Sequence, residues 1–135
     1  MFLDNYKVTF EGPTAAGTTT IDSAAYDMKN FESILFIVRL GTPAANNNIR
    51  VQQDTASNMA AAADLAGTLV NSPTLNQHMV FIARPREQFV RCRVTRGTST
   101  TIDGIVVLQV NPRNRPIVQP TSVFEEYSAP AEGAA

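Results

Sequence analysis

The apolar positions of this chain fall in short runs punctuated by Gly, Pro and Asn, and several of those runs alternate with polar residues at every second position, the period of a strand. Lys7 to Phe10 alternates with Val8 and Phe10 on one side, and Gly12-Pro13 ends it. The β-branched threonines after Gly17 predict a second short strand over Thr18 to Ile21. Ser33 to Leu40 is almost continuously apolar, which predicts a strand covered on both faces or nearly so, and Gly41-Thr42-Pro43 closes it. Asn46-Asn47-Asn48 reads as a turn, because asparagine tolerates left-handed backbone and its side chain imitates a backbone turn. Ile49 to Gln53 follows as a strand, with Ile49, Val51 and Gln53 facing one way and Arg50 and Gln52 the other.

The second half repeats the pattern with one interruption. Ala60 to Ala63, with Ser57 or Asn58 as a cap, predicts one or two turns of helix at most, since four alanines cannot nucleate a longer one. Leu65 to Val70 predicts a strand closed by Asn71-Ser72-Pro73, and Met79 to Ala83 is apolar throughout. Phe89 to Thr95 alternates, with Val90, Cys92 and Val94 directed to the core and Arg91, Arg93 and Thr95 away from it. Thr101 to Val110 is the last strand, and Arg96 to Thr100 before it looks like a hairpin loop. Seven or eight short strands with helix below about 15% predict an all-β fold, an antiparallel β-sandwich of jelly-roll-like or immunoglobulin-like type.

Beyond Val110 the pattern stops. Pro112, Pro116, Pro120 and Pro130 interrupt every element, so residues 1–110 read as the sandwich with a short leading arm and 111–135 as an extended trailing arm. The 24 residues from Pro112 reach ~80 Å when fully extended. Ile117, Val118, Val123, Phe124 and Tyr127 give that arm apolar side chains, which either dock on a partner or fold back along the chain's own sandwich.

Composition narrows the chemistry. At 135 residues, 44% hydrophobic and 17% charged, the chain is long enough for one domain with a real core. The first ten residues lack the basic and apolar regions of a secretion signal and no apolar run is long enough to span a bilayer, so synthesis in a cytoplasm and no membrane partner are expected. One cysteine and one histidine supply neither a disulfide nor a four-ligand zinc site, and no cofactor or metal is expected. No phosphate loop, nucleophile elbow or zinc-protease motif is present. His78 reads as a solvated or capping residue at a strand edge, Cys92 as a small core residue, and the Glu125-Glu126 pair lies in the arm. Catalysis is not expected.

Charge is partitioned. Residues 84–115 hold seven arginines against Glu87 and Asp103, net +5, while 1–83 and 116–135 each come to −3. Arginine in place of lysine suggests two-point pairing with carboxylates at a protein contact, and the scarcity of interleaved aromatics argues against nucleic acid. Arg91, Arg93, Arg113 and Arg115, with Phe124 and Tyr127 farther along the arm, are the candidate partner-binding residues.

Phe31-Glu32-Ser33-Ile34-Leu35-Phe36-Ile37-Val38 followed by Gly41, Val51-Gln52-Gln53-Asp54, Phe89-Val90-Arg91-Cys92-Arg93-Val94 and Val110-Asn111-Pro112-Arg113-Asn114-Arg115-Pro116 together resemble the small capsid cement or decoration proteins of tailed bacteriophages, over about Tyr26 to Val118. The resemblance implies a β-sandwich, often a jelly roll, that binds the major capsid protein on the outside of the virion and self-associates, as a homodimer in preference to a trimer. The rival reading is a carbohydrate- or receptor-binding sandwich. With no Trp and three Tyr, the chain is poorly equipped with the aromatic platforms that reading needs.

Overall fold

The apolar runs become the inner strands of two packed sheets in the computed structural model, which describes residues 2–120, 126, 129 and 131–134. One helical turn, α1 (Phe2–Asn5), leads into β1 (Tyr6–Glu11), β2 (Thr14–Gly17), β3 (Ile21–Asp22) and β4 (Tyr26–Asp27). The long β5 (Phe31–Leu40) and β6 (Asn48–Asp54) follow, then the two-residue strands β7 (Ala63–Asp64) and β8 (Val70–Asn71). β9 (Gln77–Ala83), β10 (Phe89–Thr95) and β11 (Thr100–Pro112) complete the fold.

Every pairing is antiparallel. The first sheet runs β1-β11-β5-β9, with β2 also on β11, and the second runs β3-β10-β6-β7, with β4 on β10 and β8 on β6. The chain changes sheet at nearly every connection between long strands, the wrapped order of a jelly roll. Half of the chain is strand and 3% is helix. Between the sheets lie Ile34, Phe36, Val38 and Leu40 of β5, Ile49 and Val51 of β6, Val90, Cys92 and Val94 of β10, and Ile102, Ile105 and Val107 of β11, all buried. Alternation along β10 thus has the expected sense, with Arg91 and Arg93 on the opposite face.

Four secondary-structure expectations fail, each for a tertiary reason. The alanine run is not helical: residues 55–62 form turns closed by Asp54, whose carboxylate accepts from Ala56 N at 3.1 Å and Ala61 N at 2.7 Å. That cap satisfies the backbone without the cost of nucleating a helix. Thr18 to Ile21 is not one strand, because the chain leaves the first sheet at Gly17 and joins the second only at Ile21. Leu65 to Val70 is mostly turn. There the Thr68 hydroxyl donates to Leu65 O at 2.8 Å and accepts from Val51 N at 3.1 Å, taking the place of a ladder partner. Finally, Arg96 to Thr100 is no hairpin, since β10 and β11 belong to different sheets. The loop crosses between them, and Asn47, fully buried, fixes it by accepting from Gly97 N at 3.0 Å and donating to Thr42 O at 2.9 Å.

The described part of the trailing segment lies against the chain's own leading residues. Arg113 N donates to Asn30 O at 2.8 Å, Ile117 packs on the core, and Arg115 Nη2 donates to Asn5 Oδ1. Gln119 lies beside β1, accepting from Val8 N at 3.1 Å and donating to Tyr6 O at 2.8 Å. Glu126 accepts from Phe2 N and from Leu3 N.

Candidate functional site

The outer face of the second sheet carries Arg91 and Arg93 from β10 beside Arg50 from β6, directly opposite Arg93. Alternation puts all three outward, but their charges are engaged by the chain itself. Arg93 grips Asp22 on β3 at two points, Nε to Oδ1 at 2.7 Å and Nη2 to Oδ2 at 3.1 Å. Arg91 donates from Nε to Gln52 Oε1 at 2.9 Å and brings Nη2 to 3.5 Å from Asp22 Oδ2, while Arg50 lies 3.6 Å from Asp64. The Arg93 hydrogen bond, aided by the charges of Arg91 and Arg50, holds the Asp22 carboxyl below its ordinary value. This face is a mixed ionic lattice knitting β3, β10, β6 and β7 together.

Arg96 is different again. It is buried, and it spreads its guanidinium over Ala15 O at 2.8 Å, Thr19 O at 2.8 Å, Thr100 O at 2.9 Å and Thr19 Oγ1 at 2.7 Å. It ties the crossing loop to the stretch where the chain changes sheets. Arg84 pairs with Glu32 at 2.8 Å on the surface, and Arg86 and Arg113 line an open cleft of about 570 Å³ with Lys29 and Gln88 at one end of the sandwich. Of the candidate partner-binding residues, Arg91 and Arg93 therefore share one carboxylate, Arg113 sits in a cleft, and Arg115 reaches Asn5; Phe124 and Tyr127 lie outside the described residues.

The two side chains weighed for catalysis are both enclosed. His78, expected at a solvated edge, is instead 2% exposed on the inner face of β9, and neither ring nitrogen has a hydrogen-bond partner. Burial lowers its pKa. The reason for the misplacement is register: opposite Val38, His78 shares the core-facing parity of Val80. Cys92 is fully buried, and burial pushes its thiol up to about 12. Tyr26 donates its hydroxyl to Glu11, and burial raises its pKa.

The outer face of the first sheet exposes large apolar side chains. Register aligns Phe10, Val106, Ile37 and Met79 in one row across all four strands, and Leu108, Leu35 and Phe81 in the next. Phe10 is 58% exposed, Met79 61% and Phe81 56%, while Leu35, Ile37, Val106 and Leu108 are half-buried between them. Three large side chains exposed to that extent present on the order of 300 Å² of apolar surface. A groove beside Phe10, Ile37 and Val106, edged by Arg39, Gln77 and Asp103, indents one end of it. Sequence reasoning did not single out these residues, yet the signal was present: Ser33 to Leu40 and Met79 to Ala83 are apolar at both parities, and the core covers one face of each.

A comparison with protein-family models finds no match, and a comparison with curated proteins finds no similar sequence.

Proposed function

We propose that the chain is a structural, non-enzymatic protein that binds the outer surface of a tailed-phage capsid and stabilises the shell. The observation that carries the reading is the apolar outer face of the β1-β11-β5-β9 sheet. A strand patterned for two covered faces, with its outer face exposed at Met79 and Phe81 of the neighbouring strand, supports a cover supplied by another molecule. The centre of the face is aliphatic, with Leu35, Ile37, Val106 and Leu108 side by side, which supports a protein surface as partner over a sugar. Sugar sites stack rings on aromatic platforms, and the two phenylalanines most exposed here stand at opposite sides of the sheet, on β1 and β9.

The basic cleft at the end of the sandwich supports the same reading. With Arg84 paired to Glu32, Lys29, Arg86 and Arg113 outnumber Glu87 there, a basic excess suited to steering the domain toward an acidic protein surface such as that of a major capsid protein. Many copies on a repeating lattice need only modest affinity each.

Imaging of the virions for this chain on the shell exterior, together with co-sedimentation of the purified protein with shells, tests the proposal. Saturable binding that raises the temperature of DNA release is the expected result. A protein absent from particles and retained on a glycan column overturns it.

A further inference from the structure

The four sheet edges of this domain are treated unequally. In the second sheet the edges are two-residue strands, Ile21–Asp22 and Tyr26–Asp27 on one side, Ala63–Asp64 and Val70–Asn71 on the other, too short to template another chain. In the first sheet, Gln119 caps the β1 edge by accepting from Val8 N and donating to Tyr6 O, as a neighbouring strand would. The fourth edge is β9, and among the described residues no strand or side chain pairs with its outer side. It runs seven residues, Gln77-His78-Met79-Val80-Phe81-Ile82-Ala83, without a charge, a proline or a bulge in its pairing with β5.

The parity of the ladder says which groups are unmet. Leu40 N donates to Asn76 O and Arg84 N donates to Glu32 O, so the even positions of β9 bond to β5, and Gln77, Met79, Phe81 and Ala83 direct their N–H and C=O groups away from it. All four residues are exposed. Protected edges everywhere else make an open, uncharged, apolar edge a feature in need of an occupant.

We propose that β9 pairs antiparallel with β9 of a second copy of this chain, joining two five-stranded sheets into one of ten. The register that pairs all seven residues is centred on Val80. It sets Met79 opposite Phe81 of the second copy and Gln77 opposite Ala83, so the two large exposed apolar side chains meet each other and no like charges are opposed. A two-fold axis through Val80 makes the contact self-complementary, as a closed dimer requires. The edge and its four large side chains bury on the order of 700 Å², below the standard size of a specific interface, so the dimer is weak and concentration-dependent. Pairing also makes the apolar outer faces of the two sheets continuous. The inference deepens the capsid-binding proposal by naming the surface through which copies join, and its test is read on the isolated protein, so that it stands or falls separately from shell binding.

Sedimentation velocity across a concentration series tests it, with Phe81→Lys and Met79→Lys as variants whose side chains are already exposed and whose fold is verified by circular dichroism. The expected result is a monomer–dimer equilibrium weakened about tenfold or more by either lysine. Mixing singly substituted Gln77→Cys and Ala83→Cys proteins under oxidation should give a heterodimeric crosslink, because directly opposed residues lie within disulfide range. A wild-type protein that stays monomeric at high concentration, or a dimer that both lysine variants leave unchanged, overturns the proposal, as does a folded dimer with no crosslink between positions 77 and 83.

Discussion

Asp22 and Arg93 meet in a two-point contact, Nε to Oδ1 at 2.7 Å and Nη2 to Oδ2 at 3.1 Å, both side chains about three-tenths exposed. Because Asp22 lies on a two-residue strand that owes little to its own ladder, the pair does much to hold β3 on β10. Asp22→Ala should destabilise the fold by about 1 kcal/mol, the upper range for a solvent-screened pair. Its depressed pKa gives the sign of the pH effect: the stabilisation is complete above the ordinary carboxylate value of 3.8 and is lost as pH falls through the lower folded value. Urea unfolding of the variant and the parent at neutral and acid pH measures both effects.

His78 works in the opposite chemical sense with the same direction in pH. Its folded pKa lies below 6.5, so in neutral and alkaline solution the ring is uncharged in both states and contributes no pH dependence. As pH drops below about 6.5 the unfolded chain binds the proton first, and stability falls until the folded value is reached. His78→Leu should abolish this component. It should also raise stability at neutral pH by about 1 kcal/mol, because two unsatisfied buried nitrogens are removed. Thermal melts between pH 5 and 8 give the answer, and a parent with a flat profile over that range would contradict the burial of the ring.

Arg96 is the side chain whose loss should cost most. Three carbonyls and a hydroxyl depend on it, so Arg96→Met, close in length and apolar, should cost about 3 kcal/mol by leaving them without donors. Arg96→Lys should recover little, since one ammonium cannot span acceptors arrayed around a planar fork. Denaturant titration ranks the three proteins.

Cys92 reports on the register of β10. With its thiol buried and its pKa pushed up to about 12, it should resist thiol reagents at pH 8 in the folded protein and react at once in denaturant. Rapid labelling without denaturant would mean that Arg91 and Arg93, and not Val90, Cys92 and Val94, face the core.

Removal of residues 121–135 spares Ile117 and Gln119 and takes away Glu126 with its contacts to Phe2 and Leu3. A loss of about 1 kcal/mol is expected, a few degrees in Tm for a domain of this size. Removal from Arg113 onward should do more, uncapping the β1 edge and promoting association through it. Calorimetry and light scattering on the two truncations separate the contributions.

Legibility differed by residue, not by region. The alternation Val90, Cys92, Val94 against Arg91, Arg93 needed only the two-residue period, and it matches the observed burial because β10 is a central strand with one sheet-facing side. The same arginines could not be assigned partners from sequence: Asp22 is 71 positions from Arg93, and only the pairing of β3 with β10 joins them. Arg96 stood in the same basic cluster, yet it is a buried brace for a sheet-crossing loop, a role no charge count distinguishes from a surface cation.

The sequence by itself determined the class of fold. Short runs of period two, punctuated by turn residues, cannot bury their apolar faces except as sheets packed against each other, and the core that results is the one the alternation implies. Strand order, the crossing at Arg96 to Thr100, the inward turn of His78 and the open β9 edge were decided by tertiary structure. Each depends on which strands become neighbours, and that is set by contacts between residues far apart in the chain, to which a local pattern is blind. The doubly apolar pattern of β5 and β9 lies between these cases: the sequence announced that both faces are to be covered, and only the fold revealed that Met79 and Phe81 stand exposed on the outer one.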